Sequence, residues 1–183
     1  MNLEYFATKN DNNKEVKDIL LSNLKISHRL LTTLKKENSI FLNGVPCFVC
    51  KTVKTGDKIT VSFDYEEDNS NIISKEMLLE IIYEDDWLLI VNKQPGIPVH
   101  PSILHYEDSL SSGIKSYFDS IGLKKKIRPV NRIDKNTSGL VVFAKNEYIQ
   151  ESLICQMQDK TFEKEYIAIV EGHFEDNLKK RNY

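Results

Sequence analysis

Long apolar runs are absent from this chain of 183 residues. A membrane-spanning helix needs ~20 consecutive apolar residues, and no stretch of the sequence approaches that length. Residues 1–6 also lack the basic segment and the long apolar segment of a secretory signal peptide. The sequence therefore predicts a cytoplasmic protein with no part embedded in a membrane.

Cysteine is scarce as well, with three residues in the whole chain. An odd number of cysteines without an export signal argues against a disulfide framework. Cys47 and Cys50 have the C-x-x-C spacing of redox sites and of half a zinc site, but a zinc site needs a second pair and Cys155 stands alone. We expect the pair to be two small side chains on a short strand. The alternative, a thiol or zinc protein, predicts bound metal or thiol reactivity.

Sequence motifs that bind metal ions or phosphate-containing cofactors are also absent. His28, His105 and His173 do not have the spacing typical of metal ligands. The glycines at positions 113, 122 and 139 do not form a phosphate-binding loop. The sequence therefore predicts neither a metal ion nor an organic cofactor.

The net charge is close to zero, at −2, but the charges are unevenly distributed. Residues 25–58 carry seven Lys or Arg against two acids, residues 64–86 carry nine acids against one lysine, and residues 87–146 carry nine bases against four acids. A polyanion responds to charge within about a Debye length, so two basic segments can bind nucleic acid despite the neutral total. Solvated surface charge is the alternative interpretation.

The amino-terminal third predicts two helices followed by short strands. Residues 1–13 are polar and rich in asparagine, so we expect an irregular start. Helical spacing of apolar residues, a capping serine and an Asn-Gly turn at 43–44 then define the elements. The predicted elements are helices over 14–24 and from Ser27, and strands over 39–42, 45–49 and 58–63.

The rest of the chain begins with an acidic stretch without periodicity, 65–76, which we expect to be a linker. Beyond it the pattern predicts, in order, strands over 78–83 and 87–92, a helix over 109–118, a strand over 140–144, a helix over 146–158 and a strand over 164–170. The chain is thus divided into an amino-terminal module (1–64), a linker (65–76) and a second domain (77–183).

Three stretches of the second domain stand out. Residues 83–101 read Tyr-Glu-Asp-Asp-Trp-Leu-Leu-Ile-Val-Asn-Lys-Gln-Pro-Gly-Ile-Pro-Val-His-Pro, residues 132–140 read Arg-Ile-Asp-Lys-Asn-Thr-Ser-Gly-Leu, and residues 164–172 read Lys-Glu-Tyr-Ile-Ala-Ile-Val-Glu-Gly. In this order they resemble the RluA-type family of RNA pseudouridine synthases, and the second is similar to its catalytic signature. Residues 15–63 resemble the small RNA-binding module, named after a ribosomal small-subunit protein, that often precedes this domain.

The resemblance implies a fold and an activity. The expected fold is α+β: a small αα-β RNA-binding module followed by an incomplete, mixed but mainly antiparallel β-sheet catalytic domain with flanking helices. The expected activity is isomerisation of uridine to pseudouridine in RNA, with large-subunit ribosomal RNA as the partner. The family's domain continues beyond the third stretch, and nothing in 174–183 resembles its later strands. A non-catalytic RNA-binding protein is therefore the alternative.

The resemblance also implies site residues. Asp134 matches the catalytic carboxylate, which acts near C1′ of the ribose. Arg132 could pair with Asp134, contact phosphate or fill the gap left by the extruded base, and the family favours the last. Tyr166 resembles the tyrosine whose ring can stack on uracil. Without the flanking stretches, Arg-x-Asp before Thr-Ser-Gly would favour a surface loop with a local ion pair.

Other positions have secondary expected roles. RNA phosphates would be contacted by basic residues of the module's second helix: Arg29, Lys35 and Lys36. Lys93 and His100, in the first stretch, are expected to be structural or peripheral RNA contacts. Asn131 departs from the His that the family usually carries at this position.

Overall fold

The computed structural model describes residues 1–101 and 107–172. The first half of the chain contains β1 (Asn2–Phe6), a 3-10 turn (Lys9–Asp11), α1 (Val16–Ser22), α2 (His28–Lys36), β2 (Ile40–Leu42), β3 (Val45–Pro46) and β4 (Lys58–Ser62). The second half contains β5 (Glu80–Glu84), β6 (Leu88–Lys93), α3 (Leu110–Ser120), β7 (Arg128–Pro129), β8 (Gly139–Ala144) and α4 (Glu147–Gln158). The described residues thus form two four-stranded sheets and four α-helices, which confirms the α+β class.

The first sheet has the strand order β1-β4-β2-β3 and shares a core with α1 and α2. The Ser27 hydroxyl caps α2 by accepting the N–H of Leu30 at 3.1 Å. Leu30, Leu31 and Leu34 are buried because their spacing places them on one face of the helix. The second helix therefore begins where its capping serine predicts.

The start of the chain is a strand, so the expectation of an irregular segment was wrong. β1 pairs antiparallel with β4, with Leu3 opposite Val61 and Tyr5 opposite Ile59. Leu3 and Tyr5 alternate inward and pack against the core of the module. That alternation was the available signal, but the partner strand lies far along the chain, and local polarity does not reveal a distant pairing.

A buried carboxylate fastens β1 to the turn that follows it. Asp11 is 1% exposed, and its Oδ2 accepts hydrogen bonds from the Thr8 hydroxyl at 2.6 Å, the Thr8 N–H at 2.9 Å and the Tyr5 hydroxyl at 2.8 Å. Its Oδ1 lies 3.0 Å from the Lys14 ammonium. These donors, the Thr8 hydroxyl first, hold the pKa of Asp11 well below its ordinary value of 3.8.

Replacing Asp11 by alanine should lower the free energy of unfolding by about 2 kcal/mol near neutral pH, because the donors lose a charged acceptor. The folded-state pKa of Asp11 lies below its unfolded value. Its contribution is therefore fully present above the unfolded pKa and is lost as the pH falls through the folded pKa. Urea unfolding followed by Trp87 fluorescence should show the difference between wild type and Asp11→Ala shrinking below about pH 4. A difference that stays constant down to about pH 2 would contradict this account.

The second sheet has the strand order β5-β6-β8-β7 and lies between two helices. The face that packs against α3 presents Leu89, Val91, Val141 and Phe143. The face that packs against α4 presents Leu88, Ile90, Val142 and Ala144. Its strand pairings are all antiparallel. We expected a mixed sheet, but the described part of this sheet contains no parallel pair of strands.

The strand predicted over 164–170 is not formed, which corrects the prediction from its alternating pattern. Tyr166, Ile167 and Ile169 are 59%, 97% and 102% exposed. Among residues 1–101 and 107–172 no strand pairs with this segment, and a strand needs a neighbour that satisfies its backbone groups. His105, His173 and residues 174–183, named in the sequence analysis, lie outside the described residues.

An aromatic cluster joins the two halves of the chain. Phe63, just after β4, is fully buried. Its ring lies edge-on to that of Trp87 at 6.1 Å and is stacked with that of Tyr148 at 5.9 Å between centroids. The Ser27 hydroxyl, at the start of α2, donates to the Glu151 carboxylate on α4 at 2.8 Å. The start of α2 therefore contacts α4 of the second half directly.

The acidic stretch after β4 lies against the second half of the chain. The Glu67 carboxylate forms an ion pair with Arg128 in which both side chains are nearly buried, with one N–H donating at 2.8 Å. The Asn69 amide donates to the carbonyl of Lys125 at 2.9 Å, and Ile72 is buried in the core beside α3. These contacts fix the path of the stretch, while the division of the chain at residues 64 and 76 stays a prediction.

The C-x-x-C pair lies in the loop after β3 rather than on a strand, which corrects its expected placement. Both thiols are free; Cys47 is half-buried and Cys50 is exposed. Among the described residues no helix combines the length and the apolar character needed to cross a membrane.

Candidate active site

Asp134 lines an open cleft of about 700 Å³. The lining residues come from the loop after β6, from the loop between β7 and β8 that carries Asp134, and from the end of α4 and Lys164 beyond it. Asp134 is exposed, so its carboxylate can be reached from solvent. The N–H of Thr137 donates to the carbonyl of Asp134 at 3.1 Å and closes a tight turn over residues 134–137.

A buried ammonium group anchors this loop. Lys93, at the end of β6, is fully buried, and its Nζ donates to the carbonyls of Gln94, Ile97 and Lys135 at 3.0, 2.9 and 3.0 Å. Three acceptors use all three protons of an ammonium, so the side chain is charged. The loop after β6 and the loop that carries Asp134 are thereby held together.

The Asp134 carboxylate acts on Lys93 through its charge. Burial lowers the pKa of Lys93, and the negative charge of Asp134 opposes that shift. The N–H of Gly96 donates to the same Lys135 carbonyl at 2.8 Å, which adds a second link between the loops. The two loops are therefore joined both by the Lys93 side chain and by a backbone hydrogen bond.

The buried side chain of Asn131 fixes the other end of the loop. Its Nδ2 donates to the carbonyl of Leu140 at 3.0 Å, and its Oδ1 accepts the N–H of Val142 at 2.8 Å. The side chain thus occupies two hydrogen-bonding positions along β8. An amide offers both the donor and the acceptor that this strand edge needs, which explains how an asparagine at this position can hold the loop against β8.

His100 lines the cleft and contacts a buried serine. The Ser111 hydroxyl donates to the carbonyl of Val99 at 2.8 Å, and Nδ1 of His100 lies 3.3 Å from Ser111 Oγ. In the tautomer with its proton on Nδ1, the ring donates to Ser111 and Nε2 is an acceptor. Burial and, to a smaller extent, the charge of Arg132 lower the pKa of His100, which favours the neutral ring.

Arg132 is exposed and lines two depressions, the Asp134 cleft and one of about 640 Å³ beside α2. Within the described residues, the arginine ion pairs are Arg29 with Glu147 and Arg128 with Glu67. Arg132 is therefore not paired with a carboxylate there, and the local ion pair with the aspartate two residues later is not formed.

The other predicted site residues lie in different places. Arg29 lines the depression beside α2 together with Arg132 and pairs with Glu147 at 3.2 Å. Lys35 lines a separate groove on the module, and Lys36 is exposed on α2. Tyr166 does not line the Asp134 cleft. The structure therefore brings Arg29, Arg132 and Asp134 into adjoining depressions and leaves the other three apart.

Lys93 has a structural role, one of the two that we expected for it. Its side chain holds the loop that carries Asp134. The signal was its register: Lys93 continues the inward-facing series of Leu89 and Val91 in an alternating strand. A charged residue at such a position has to be compensated by nearby polar groups.

The cleft offers one accessible carboxylate, one imidazole and one guanidinium that pairs with no carboxylate of the described residues. Such a carboxylate can attack an electrophilic carbon or remove a proton, and the guanidinium can contact phosphate or a base. Among residues 1–101 and 107–172, no group of three or more His, Cys, Asp or Glu is arranged to hold a metal ion.

A family model described as RNA pseudouridylate synthase matches residues 87–183, a range that includes the Asp134 loop. The chain is also 36% identical over 140 residues to the uncharacterized RNA pseudouridine synthase YlyB of Bacillus subtilis. That alignment covers 75% of this chain and 46% of YlyB.

Two further relatives carry the name ribosomal large subunit pseudouridine synthase D. The protein of Borreliella burgdorferi is 35% identical over 156 residues, which cover 82% of this chain and 47% of that protein. The protein of Neisseria meningitidis serogroup B is 33% identical over 146 residues, which cover 80% and 39%. The chain thus spans about half the length, or less, of the relatives that it matches.

Proposed function

Because the chain belongs to the RNA pseudouridylate synthase family, we propose that it isomerises uridine to pseudouridine in RNA. The reaction breaks the bond between N1 of uracil and C1′ of the ribose and forms a bond between C5 and C1′. A proton leaves C5 and another is taken up at N1, so the product is an isomer of the substrate. The protein must therefore supply a group that acts near C1′ and a site for an extruded nucleotide.

Asp134 is the proposed catalytic carboxylate, and its position is the observation that carries the proposal. It is accessible in a cleft of about 700 Å³, on a loop held by the Lys93 ammonium and the Asn131 amide. A reacting group that is held in place reduces the entropic barrier of the reaction. Asp134 acts near C1′ either as a nucleophile or as a base.

Arg132 and Tyr166 are proposed to contact the substrate. Arg132 has no carboxylate partner within the described residues, so its guanidinium is available to fill the space left by the extruded uridine. Tyr166 is 59% exposed, and Lys164, two residues before it, already lines the cleft. Stacking of Tyr166 on uracil then requires the segment that follows Lys164 to turn toward the cleft.

Large-subunit ribosomal RNA is the proposed substrate, and the printed names of two relatives support it. The amino-terminal module is proposed to supply sequence-independent contacts with phosphates. Arg29, Lys35 and Lys36 are exposed on α2, and Arg29 lies in the depression next to the Asp134 cleft. The cytoplasm is the proposed location of this reaction.

The activity is tested with a large-subunit ribosomal RNA transcript that carries tritium at C5 of uridine. Loss of the C5 proton releases tritium only when the new carbon–carbon bond forms, so the expected result is tritium release together with pseudouridine in the nucleoside digest. RNA binding is measured in parallel. A protein that binds the transcript but releases no tritium would instead be the non-catalytic RNA-binding protein.

A further inference from the structure

A groove on the amino-terminal module lies apart from the Asp134 cleft. It encloses about 330 Å³ between the end of α2 and the loop after β3, which is within the range of small-molecule sites. Its apolar wall includes Leu34, Ile40 and Val49, and its polar lining includes Lys35 and Asn38. The groove is therefore apolar inside with a cation and an amide at its margin.

One wall of this groove is the ring of Phe48, which is 86% exposed. Its neighbours Cys47 and Val49 turn inward and pack against the core of the module. The alternation directs the largest apolar side chain of the loop outward. A single exposed phenylalanine is common on protein surfaces, but an exposed ring beside an apolar groove forms a surface on which a flat group can stack.

The backbone that carries Phe48 is held on both sides. The N–H of Cys47 donates to the carbonyl of Ile40 on β2 at 3.0 Å, and the carbonyl of Val49 accepts the N–H of Lys17 on α1 at 2.9 Å. The N–H of Lys51 closes a turn onto the carbonyl of Phe48 at 3.0 Å. The ring is thus mounted on a fixed backbone, which lowers the entropy lost when a ligand binds.

The surroundings of the groove are positively charged. Within the described part of the chain, the lysines of α2 and of the loop after β3 form no salt bridge, in contrast to Lys14, Lys17 and Lys58 elsewhere on the module. These unpaired residues are Lys35, Lys36, Lys51 and Lys54. The acids beside them are Glu37, at the end of α2, and Asp57, whose charge interacts with Lys51 and Lys54. The net positive charge favours an anionic ligand.

We propose that this groove binds one unpaired nucleobase of RNA, stacked on Phe48, with its flanking phosphates near Lys35 and its neighbouring lysines. The inference rests on the proposed function of the module as an RNA-binding unit and adds a base-binding site to it. Base–aromatic stacking tolerates any sequence because every base has a π-face. Asn38 supplies an amide that can both donate to and accept from the edge of a base.

Charge and shape together favour RNA over an apolar protein partner. A hydrophobic peptide would use the groove but would leave the lysines uncompensated. A duplex would meet the lysines but could not insert a paired base beside Phe48. A single strand satisfies both features, because its bases are free to leave the stack while its phosphates stay close to the cations.

The test uses the full chain and a short fluorescein-labelled oligouridylate, with Phe48→Ala compared with wild type over a series of salt concentrations. We expect the dissociation constant to rise roughly tenfold. The slope of the logarithm of the binding constant against the logarithm of the salt concentration should not change, since in this proposal Phe48 contacts a base and not a phosphate. Lys35→Glu should instead flatten the slope. Phe48→Trp should retain binding, because it keeps the stacking face.

Phe6→Ala is the matched control, because Phe6 is also an exposed phenylalanine of the module, at 61%, and lies outside the groove. It should bind the oligouridylate as wild type does. If Phe48→Ala binds like Phe6→Ala, the groove is not a base-binding site, while a flattened salt dependence in Lys35→Glu would still support phosphate contacts by the module. If wild type itself does not bind the oligouridylate, the groove proposal is overturned. If wild type also fails to bind the ribosomal transcript, the proposed RNA-binding function of the module is overturned as well.

Discussion

Replacing Asp134 by asparagine is expected to lower the rate of pseudouridine formation at least about a thousand-fold, because the amide can neither attack carbon nor remove a proton. The substitution keeps the size of the side chain, and Asp134 is exposed, so folding should not change. RNA binding should stay at the wild-type level. The rate is followed by tritium release from C5 under single-turnover conditions, which separates chemistry from product release.

Asp86→Asn is the matched control for this experiment. Asp86 is an exposed aspartate of the second half of the chain, one residue before the family-matched range, and it lies outside the cleft that Asp134 lines. Its variant should keep the wild-type rate. Measurable turnover by Asp134→Asn at more than about a tenth of the wild-type rate would mean that a different group acts at C1′.

Replacing Lys93 by methionine is expected to damage both stability and activity. Methionine matches the length of lysine but has no donors, so the carbonyls of Gln94, Ile97 and Lys135 lose their shared partner. Unsatisfied buried polar groups cost ~1–3 kcal/mol each, less where water reaches them, so we expect a loss of about 3 kcal/mol in the free energy of unfolding. Urea unfolding followed by Trp87 fluorescence measures this loss.

The activity of Lys93→Met tests whether Lys93 positions Asp134, which a loss of stability alone does not show. Lys93 holds the loop of Asp134 through the Lys135 carbonyl, and a displacement of a reacting group by about 1 Å can cost ~10²-fold in rate. At temperatures where the variant is folded, kcat should therefore fall while KM for RNA changes little. A residue with a purely structural role would lower the amount of folded enzyme and leave kcat per folded molecule intact.

Lys124→Met is the control for a lysine whose loss should be tolerated. Its ammonium pairs with Glu66 at 2.9 Å, with the two side chains 67% and 71% exposed, and exposed ion pairs contribute only ~0–1 kcal/mol. Its variant should unfold close to wild type and keep kcat. Equal losses in Lys93→Met and Lys124→Met would contradict the anchoring role of Lys93.

The accuracy of the sequence-based predictions follows the range of the interactions involved. The two helices α2 and α4 begin next to the capping residues Ser27 and Asn146, because a cap is a contact within one turn of the helix. β1 was missed and the strand over 164–170 was wrongly predicted because each depends on a neighbouring strand. Alternation of side chains is a property of the segment, whereas pairing is a property of the whole fold.

The candidate site divides in the same way. Asp134 and Arg132 were predicted from one short motif, and both line the same cleft, while their roles stay proposals. Arg29 and Lys35 were expected to share one RNA-binding surface, but they lie on different faces of α2. Arg29 lines the depression next to the cleft, and Lys35 lines the groove. Sequence proximity is a poor guide to a shared surface on a helix.

The residue pattern of the sequence predicted the family and the α+β class, which are confirmed, and it indicated Asp134 as the carboxylate that we propose to be catalytic. These inferences depend on residues that are close together along the chain. Two other features are visible only in the folded chain: Lys93 and Asn131 hold the Asp134 loop from its two sides, and Phe48 faces solvent beside an apolar groove. These relations depend on burial and on hydrogen bonds between distant segments. They exist only once the chain has folded and its polar groups have had to find partners away from water.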